Sequence, residues 1–420
     1  MEKAQTNNRL LLFPVVEIDK CVAERLREAR EVRGYNISEF ANFIGLSKQV
    51  VSQYEIGRTK PSVETLRKIS INLELPLSYF TNSRPRHSKN NNIEDNTIFF
   101  RSLEGAAKKD RTRLRRRLQW GTDVFTTLSE YIDFPTVDLP TIDEIATKHH
   151  SSGLNPEHRE GISNEDIEHI ANELRIRWKL GRGPINNLIA LLESKGFIIV
   201  KEPFLSRSTG NTLQTDALSS WIDGRPFIYL SQDKGSAVRS RFDAAHELGH
   251  LLLHSGVEIT SKSILKDIES EANYFAGTFL LPRESFGSEA VLSTSLKHFE
   301  AIKPRWKVSI AAMIHRCNDM EVLSKNQNQY LWKQLSAKGW RTKEPLDDEL
   351  EEEKPVLLSK AMTLLFQHGI CTPSKIIDDL RLNPPDLVDI CGLSSNPFND
   401  RKEVLVELGF KSSCCENSKG

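Results

Sequence analysis

The residues best equipped for chemistry are His246-Glu247-Leu248-Gly249-His250, set in the run Arg241-Phe-Asp-Ala-Ala-His-Glu-Leu-Gly-His-Leu-Leu-Leu-His254. Residues four apart on a helix lie about 40° apart around its axis, so both imidazoles face one point. Zinc accepts neutral imidazole nitrogen and prefers four ligands in a tetrahedron. Glu247, one position on, can reach a water beside the metal instead of the metal itself. It can take that water's proton during attack and pass it to a leaving amine. Two unrelated histidines would read as ordinary polar residues on a half-buried helix. With Glu247 between them and apolar flanks around them, they read as a Zn2+ site.

Such a site needs a third ligand. A metzincin would supply Gly seven positions after the first histidine and His ten positions after it, but Leu253 and Gly256 stand there. A carboxylate from a second helix is the alternative. Glu269-Ser-Glu-Ala-Asn273-Tyr-Phe-Ala offers one 19 positions after His250. Asn273 lies one turn beyond Glu269, where its amide can hydrogen-bond a ligand imidazole and fix its tautomer. Glu271 points about 200° away around the same helix and is the weaker candidate. An oxyanion donor stays unassigned among His254, His298, His315 and Tyr229; His254 reads more simply as an idle residue at a helix end.

A second constellation is Ile37-Ser-Glu-Phe-Ala-Asn-Phe-Ile-Gly-Leu-Ser-Lys-Gln-Val-Val-Ser-Gln-Tyr-Glu-Ile-Gly57. Phe40, Ala41 and Ile44 give one helix a buried face, Gly45 permits a tight turn, and Ser47 caps the next helix. With Val50, Val51 and Tyr54 inward, Lys48, Gln49, Ser52 and Gln53 are left on the outer side and N-terminal end. A helix of this kind can enter the DNA major groove, where Gln reads adenine and Lys reads guanine or phosphate. Arg58 and Lys60 follow it and are placed for phosphates.

The elements that must position these groups are legible in outline. Residues 21–80 read as packed short helices, and 81–110 as a polar linker. The basic run Arg111-Thr-Arg-Leu-Arg-Arg-Arg-Leu-Gln-Trp120 opens a helix to Tyr131, its arginines forming a solvated face or a phosphate-contacting arm. Phe197-Ile-Ile-Val200 reads as a strand. Residues 218–230 read as a hairpin turning at Asp223-Gly224. Helices at roughly 237–254 and 264–280 follow, the second ended by Pro282. Asp347-Asp-Glu-Leu-Glu-Glu-Glu-Lys-Pro355 reads as an acidic hinge. Residues 356–410 read as a small helical module for partner binding or self-association, with a second helix-turn-helix around Ile370 as the alternative.

Bulk properties bound the rest. At 420 residues the chain exceeds the size of one core. Residues 1–120 hold 23 Lys+Arg against 14 Asp+Glu, whereas the whole chain balances at 57 and 57. A basic front and an acidic rear suggest that only the front meets nucleic acid. The six cysteines lack metal-ligand spacing. With no signal peptide and no apolar run of membrane length, a reducing, cytoplasmic location without membrane contact is expected.

The run RFDAAHELGHLLLH followed by ESEANYFAGTFLLP resembles the ImmA/IrrE family of bacterial metallopeptidases, which is gluzincin-like. The resemblance covers about residues 180–345, including the tail GWRTKEP at 339–345. It implies His246, His250 and Glu269 as zinc ligands and Glu247 as general base. WIDGRPFIYL resembles that family's strand beside the cleft, implying a docking edge for a substrate strand at 226–230. Residues 22–80 resemble the XRE (Cro/phage-repressor-like) family, down to Tyr-Glu-x-Gly-x-x-x-Pro61.

The expected architecture is multidomain. An all-α helix-turn-helix domain (21–80) and a linker (81–110) precede an α+β gluzincin-like peptidase domain with a small sheet and a helical N-terminal part (111–345). A helical module (356–410) ends it. The resemblance implies a regulator that contacts double-stranded DNA and cleaves a protein, in this family often a transcriptional repressor. Pairing on a palindromic operator would make it a homodimer. The rival expectation is a non-catalytic transcriptional regulator whose zinc senses or holds structure.

Overall fold

The computed structural model of this chain describes residues 23–81, 98–100, 108–146, 161–204, 217–233, 236–257, 259, 261–292 and 295–398. The N-terminal unit is five helices: α1 (Ala23–Val32), α2 (Ile37–Ile44), α3 (Lys48–Glu55), α4 (Val63–Asn72) and α5 (Leu77–Thr81). Local chemistry sets their ends. Asn36 and Glu39 form a reciprocal capping box at the start of α2, both bonds at 2.8 Å. Gly45, at φ +70°, ends α2, and Ser47 Oγ accepts the Val50 N–H at 3.3 Å to start α3. Phe40, Ala41, Ile44, Val51, Leu66 and Ile69 fill the centre between them.

After β1 (Ile98–Phe100) come α6 (Lys108–Ser129), α7 (Ile142–Ala146), α8 (Asn164–Arg177) and α9 (Leu188–Ser194). Next come β2 (Ile198–Glu202), β3 (Ala217–Ile222) and β4 (Arg225–Ser231), then α10 (Ala237–Leu253) and α11 (Lys262–Leu280). Four helices complete this part: α12 (Arg283–Ala290), α13 (Leu296–Trp306), α14 (Ile310–Asp319) and α15 (Lys325–Ala337). The C-terminal helices are α16 (Leu357–Gln367), α17 (Pro373–Leu380) and α18 (Pro384–Cys391). No helix among the described residues is long and apolar enough to cross a membrane.

The strands form one sheet in the order β1-β3-β4-β2, with β2 parallel to β4 and the other pairs antiparallel. Both faces are covered, and strand periodicity divides the side chains between two cores. Ile199, Ala217, Ile228 and Leu230 face a core shared with α8, α10, α11 and α14. Ile198, Val200, Leu218, Phe227 and Tyr229 face the other, shared with α6, the N-terminal helices and α16–α18. Gly121 of α6 is required at the second interface. A Cβ there would lie 1.8 Å from the Tyr229 hydroxyl, which donates to the Arg117 carbonyl at 2.9 Å.

Four expectations need correction. Three of the five arginines from Arg111 to Arg117 do not form a solvated face. Arg113 and Arg117 are buried, and Arg116 pairs with Glu31 of α1 at 2.8 Å. Part of the expected linker, Ile98–Phe100, is a strand of the sheet. The acidic stretch is a docked strap instead of a hinge. Glu352 pairs with Lys201 at 2.8 Å, and Glu353 pairs with Arg241 while accepting the Leu188 and Ile189 N–H groups at 2.8 and 3.1 Å. Residues 226–230 are not an edge, because β4 is paired on both sides.

A buried charge network ties the N-terminal helices to the rest. Arg33 forks onto Asp386 at 2.9 and 2.7 Å, and Arg117 reaches Asp386 and Glu202, each at 2.8 Å. Burial pushes the Asp386 carboxyl up, but Arg33 and Arg117 outweigh it and hold the group at about 2. Its stabilising share is therefore present above its ordinary value of 3.8 and is lost as pH falls toward 2. Removing one partner leaves buried charge uncompensated, so Asp386→Ala should cost about 3–5 kcal/mol in urea unfolding at pH 7. The deficit relative to wild type should shrink as the pH is lowered toward 2. A loss below 1 kcal/mol would show the network to be dispensable.

Candidate metal centre and nucleic-acid interface

Helix α10 carries His246, Glu247, His250 and, at its C-cap, His254, all fully buried. Helix α11 lies close against it at Gly249, where a Cβ would stand 3.1 Å from Phe275 and 3.3 Å from the Ala272 Cα. That close approach brings the carboxylates of α11 to the histidine stripe of α10. Glu269 Oε2 lies 3.4 Å from His246 Nε2, and its Oε1 lies 3.3 Å from His250 Nε2. Donor atoms of His246, His250 and Glu269 all fall within 4.8 Å of one another, a group that could hold a metal ion. Glu269 is the solvent-facing member, with its side chain 22% exposed against 0% for both histidines.

The hydrogen bonds behind the rings fix their tautomers. Asn273 Nδ2 donates to the Glu269 carbonyl at 2.8 Å, so its Oδ1 accepts from His246 Nδ1 at 3.1 Å. Glu271 Oε2 accepts from His254 Nε2 at 2.9 Å, which leaves His254 Nδ1 as the acceptor for His250 Nδ1, also at 2.9 Å. Glu271 Oε1 is held by the Ile162 N–H at 3.0 Å. Both ligand-side Nε2 atoms are thereby left as lone pairs, 2.9 Å apart and facing a carboxylate. Three acceptors converging in this way call for a cation between them, and their N2O chemistry suits zinc. Burial pushes the Glu269 carboxyl up, whereas protons on the facing Nε2 atoms would more than offset this and hold it at about 2, and a cation in their place would favour the carboxylate in the same sense.

Glu247 is set apart from this cluster, with its Oε2 accepting from Ser219 Oγ of β3 at 2.6 Å. Trp221 of the same strand donates to the Leu251 carbonyl at 3.0 Å, so β3 lies along α10. His254, Glu271 and Ser219 are the participants that spacing alone missed. His254 continues the 246, 250 stripe by one more turn, which was the available signal. The 200° offset of Glu271 from Glu269 puts it on the buried side of α11, beside His254. The other candidate oxyanion donors lie elsewhere: Tyr229 bonds Arg117, His298 bonds the Glu289 carbonyl at 2.9 Å, and His315 pairs with Asp319 at 3.1 Å.

In the N-terminal unit, Lys48 and Gln49 at the start of α3 are exposed, as are Arg58 and Lys60 just after it. Ser52 and Gln53 are half-buried on the same helix. Val51 is buried, whereas Val50 and Tyr54 are only partly so. The exposed cations and amide lie at the start of one helix and in the turn that follows it, a layout suited to a groove and its flanking phosphates.

Comparison with known proteins finds similarity in both regions. Residues 199–318 match the family model Peptidase_M78, the IrrE N-terminal-like domain, and residues 26–80 match the model HTH_3, helix-turn-helix. The chain thus joins a helix-turn-helix-like stretch to a stretch similar to the IrrE N-terminal-like domain. Residues His246, Glu247, His250 and Glu269 all fall within 199–318. One relative is the SPbeta prophage-derived uncharacterized HTH-type transcriptional regulator YonR of Bacillus subtilis (strain 168). It is 40% identical over 47 residues, 11% of this chain and 44% of that protein. Another is the HTH-type transcriptional regulator SutR of Escherichia coli (strain K12), 38% identical over 55 residues, 13% of this chain and 31% of that protein. In both cases the chain spans less than half of the relative.

Partners behind metal-binding histidines typically tune metal affinity 10–100-fold. His254→Ala and Glu271→Gln should each weaken zinc binding by about that factor in chelator competition. The double variant should be no worse than the weaker single one, since the two act in series. Unchanged affinity in both singles would reduce the His254–Glu271 pair to packing.

Proposed function

We propose that this chain is a DNA-binding regulator with zinc-dependent endopeptidase activity, acting on a transcriptional repressor or another regulatory protein. The observation that carries this reading is the convergence of His246, His250 and Glu269, with Glu247 one residue along the same helix. Zinc held there supplies Lewis acidity, polarising a peptide carbonyl and making water nucleophilic near neutral pH. Glu247 takes the proton of the attacking water and returns it to the leaving amine. Ser219 fixes one oxygen of that carboxylate by its 2.6 Å bond. Asn273 and the His254–Glu271 pair keep both Nε2 lone pairs aimed inward. A purely structural or sensing zinc would give the buried Glu247 and its serine partner no task.

On the DNA side, Lys48 and Gln49, with Ser52 and Gln53 further along α3, read base edges, while Arg58 and Lys60 contact phosphates. An operator with two-fold symmetry would then seat two copies.

Glu247→Gln should retain zinc and lose about 10²–10⁴-fold in cleavage, the usual share of a general base. The check is a comparison of new protein N-termini in cells carrying wild type or Glu247→Gln. A repressor cut only with wild type names the target, and cleavage that survives the substitution removes Glu247 from the mechanism. For the other domain, Arg58→Ala should weaken binding to all DNA sequences alike and lower the salt-dependence slope by about 1. A change in sequence preference instead would make Arg58 a base reader.

A further inference from the structure

A peptidase that cuts a polypeptide must hold it extended across the site, and the cheapest way to do so is to add it as a strand to an exposed sheet edge. Next to Glu247 that edge belongs to β3. Ser219 bonds the Glu247 carboxylate and Trp221 bonds the backbone of α10, so β3 is the strand lying along the catalytic helix. One side of β3 is taken by β4, with Ser219 opposite Ile228. The remaining side is taken by the chain itself: Ile98 lies opposite Ser220, Phe99 opposite Ser219, and Phe100 opposite Leu218. The backbone of Phe99 therefore runs one strand spacing, about 4.8 Å, from the residue that orients the general base. Among the described residues β4 is interior, and β2, the far strand of the sheet, meets α10 near its N-terminus, where Lys201 bonds Ser240 at 2.6 Å, six residues before His246.

We infer that β1 occupies the strand position a substrate peptide needs, so the chain restrains its own peptidase until Ile98–Phe100 leave β3. This rests on the peptidase reading above and adds its regulation. Several features fit an occupant that leaves. Among the described residues the strand pairs with β3 alone, over Ile98–Phe100, at the end of the sheet. Strands at sheet ends are held from one side and open at lower free energy than interior ones. The segment is tethered, between α5, which ends at Thr81, and α6, which starts at Lys108. Tethering keeps it at an effective concentration of about millimolar, enough to outcompete a dilute peptide but not a well-placed one. If β1 is seated in 90–99% of molecules, an incoming peptide sees an apparent affinity lowered by about 10–100-fold. The same tether joins the restraint to the helix-turn-helix unit, whose last helix ends at Thr81.

The test uses the full chain and a fluorescein-labelled peptide copying residues 94–103. In a Glu247→Gln background, which needs no turnover, Phe99→Pro removes a backbone N–H from β1 and should raise peptide affinity at least tenfold by anisotropy. With Glu247 intact, Phe99→Pro should raise kcat/KM on an unfolded protein substrate by a similar factor, and the peptide should inhibit it. Equal peptide affinity with and without the proline, or no binding in either, overturns the inference and makes β1 a permanent strand. Tighter peptide binding with no cleavage by any form would instead overturn the peptidase reading and leave a self-occupied peptide edge. Should Phe99→Pro unfold the protein, hydrogen exchange on the Glu247→Gln chain decides. Millimolar peptide should strip protection from the amides of 98–100 while 218–220 stay protected, and unchanged exchange at both refutes displacement.

Discussion

The close contact of α10 with α11 is the constraint on which the candidate metal centre depends. Two histidines on one helix would supply half of a tetrahedron, and the third donor of the group comes from α11. Gly249 lets the backbone of α11 approach until Phe275 and Ala272 would stand 3.1 and 3.3 Å from an added Cβ. From that distance Glu269 reaches both Nε2 atoms, Asn273 reaches behind His246, and Glu271 reaches His254 behind His250. The arrangement uses every polar position of the α11 segment Glu269–Asn273 except Ser270. The two carboxylates thus differ in place: Glu269 faces both Nε2 atoms, and Glu271 meets His254 behind His250.

The same economy governs the other face of the sheet. The N-terminal helices share one core with α6, the sheet and α16–α18. Their charges are answered across that core: Arg33 by Asp386, Glu31 by Arg116, and Glu28 by the Trp120 indole at 3.0 Å. Buried pairs of this kind add little net stability over apolar packing, but they are costly to separate one partner at a time. They therefore specify how the helix-turn-helix unit seats. The C-terminal helices belong to this joint, with Ile376, Leu380 and Leu387 buried in it.

Much of this was legible in the sequence because it is local. The HExxH stripe, the Gly45 turn, the Ser47 cap and the Asp223-Gly224 hairpin each depend on a few neighbouring residues. The errors were non-local. A run such as Arg111–Arg117 reads as solvated because a sequence does not say which carboxylates will come to meet it. Those were Glu31, Glu202 and Asp386, the last 269 residues from Arg117. The acidic strap misled in the same way, since Lys201 and Arg241 lie far upstream. The interior place of β4 had no such local signal: Phe227–Leu230 are buried at every position, the mark of a strand covered on both faces, but so is β2, which ends the sheet.

Rigid seating of the helix-turn-helix unit changes what the fusion of two domains can accomplish. A flexible tether would let a peptidase sweep the volume around a DNA site and raise its effective concentration toward any bound protein. A unit locked through Arg33–Asp386 and Arg117–Glu202 presents α3 and the zinc-type site in one fixed relation instead. Effective concentration is then high for a substrate whose extended segment falls at β3 and lost for one that does not. Geometry thereby becomes a filter in its own right. Selectivity would come from where a peptide is presented as well as from its side chains.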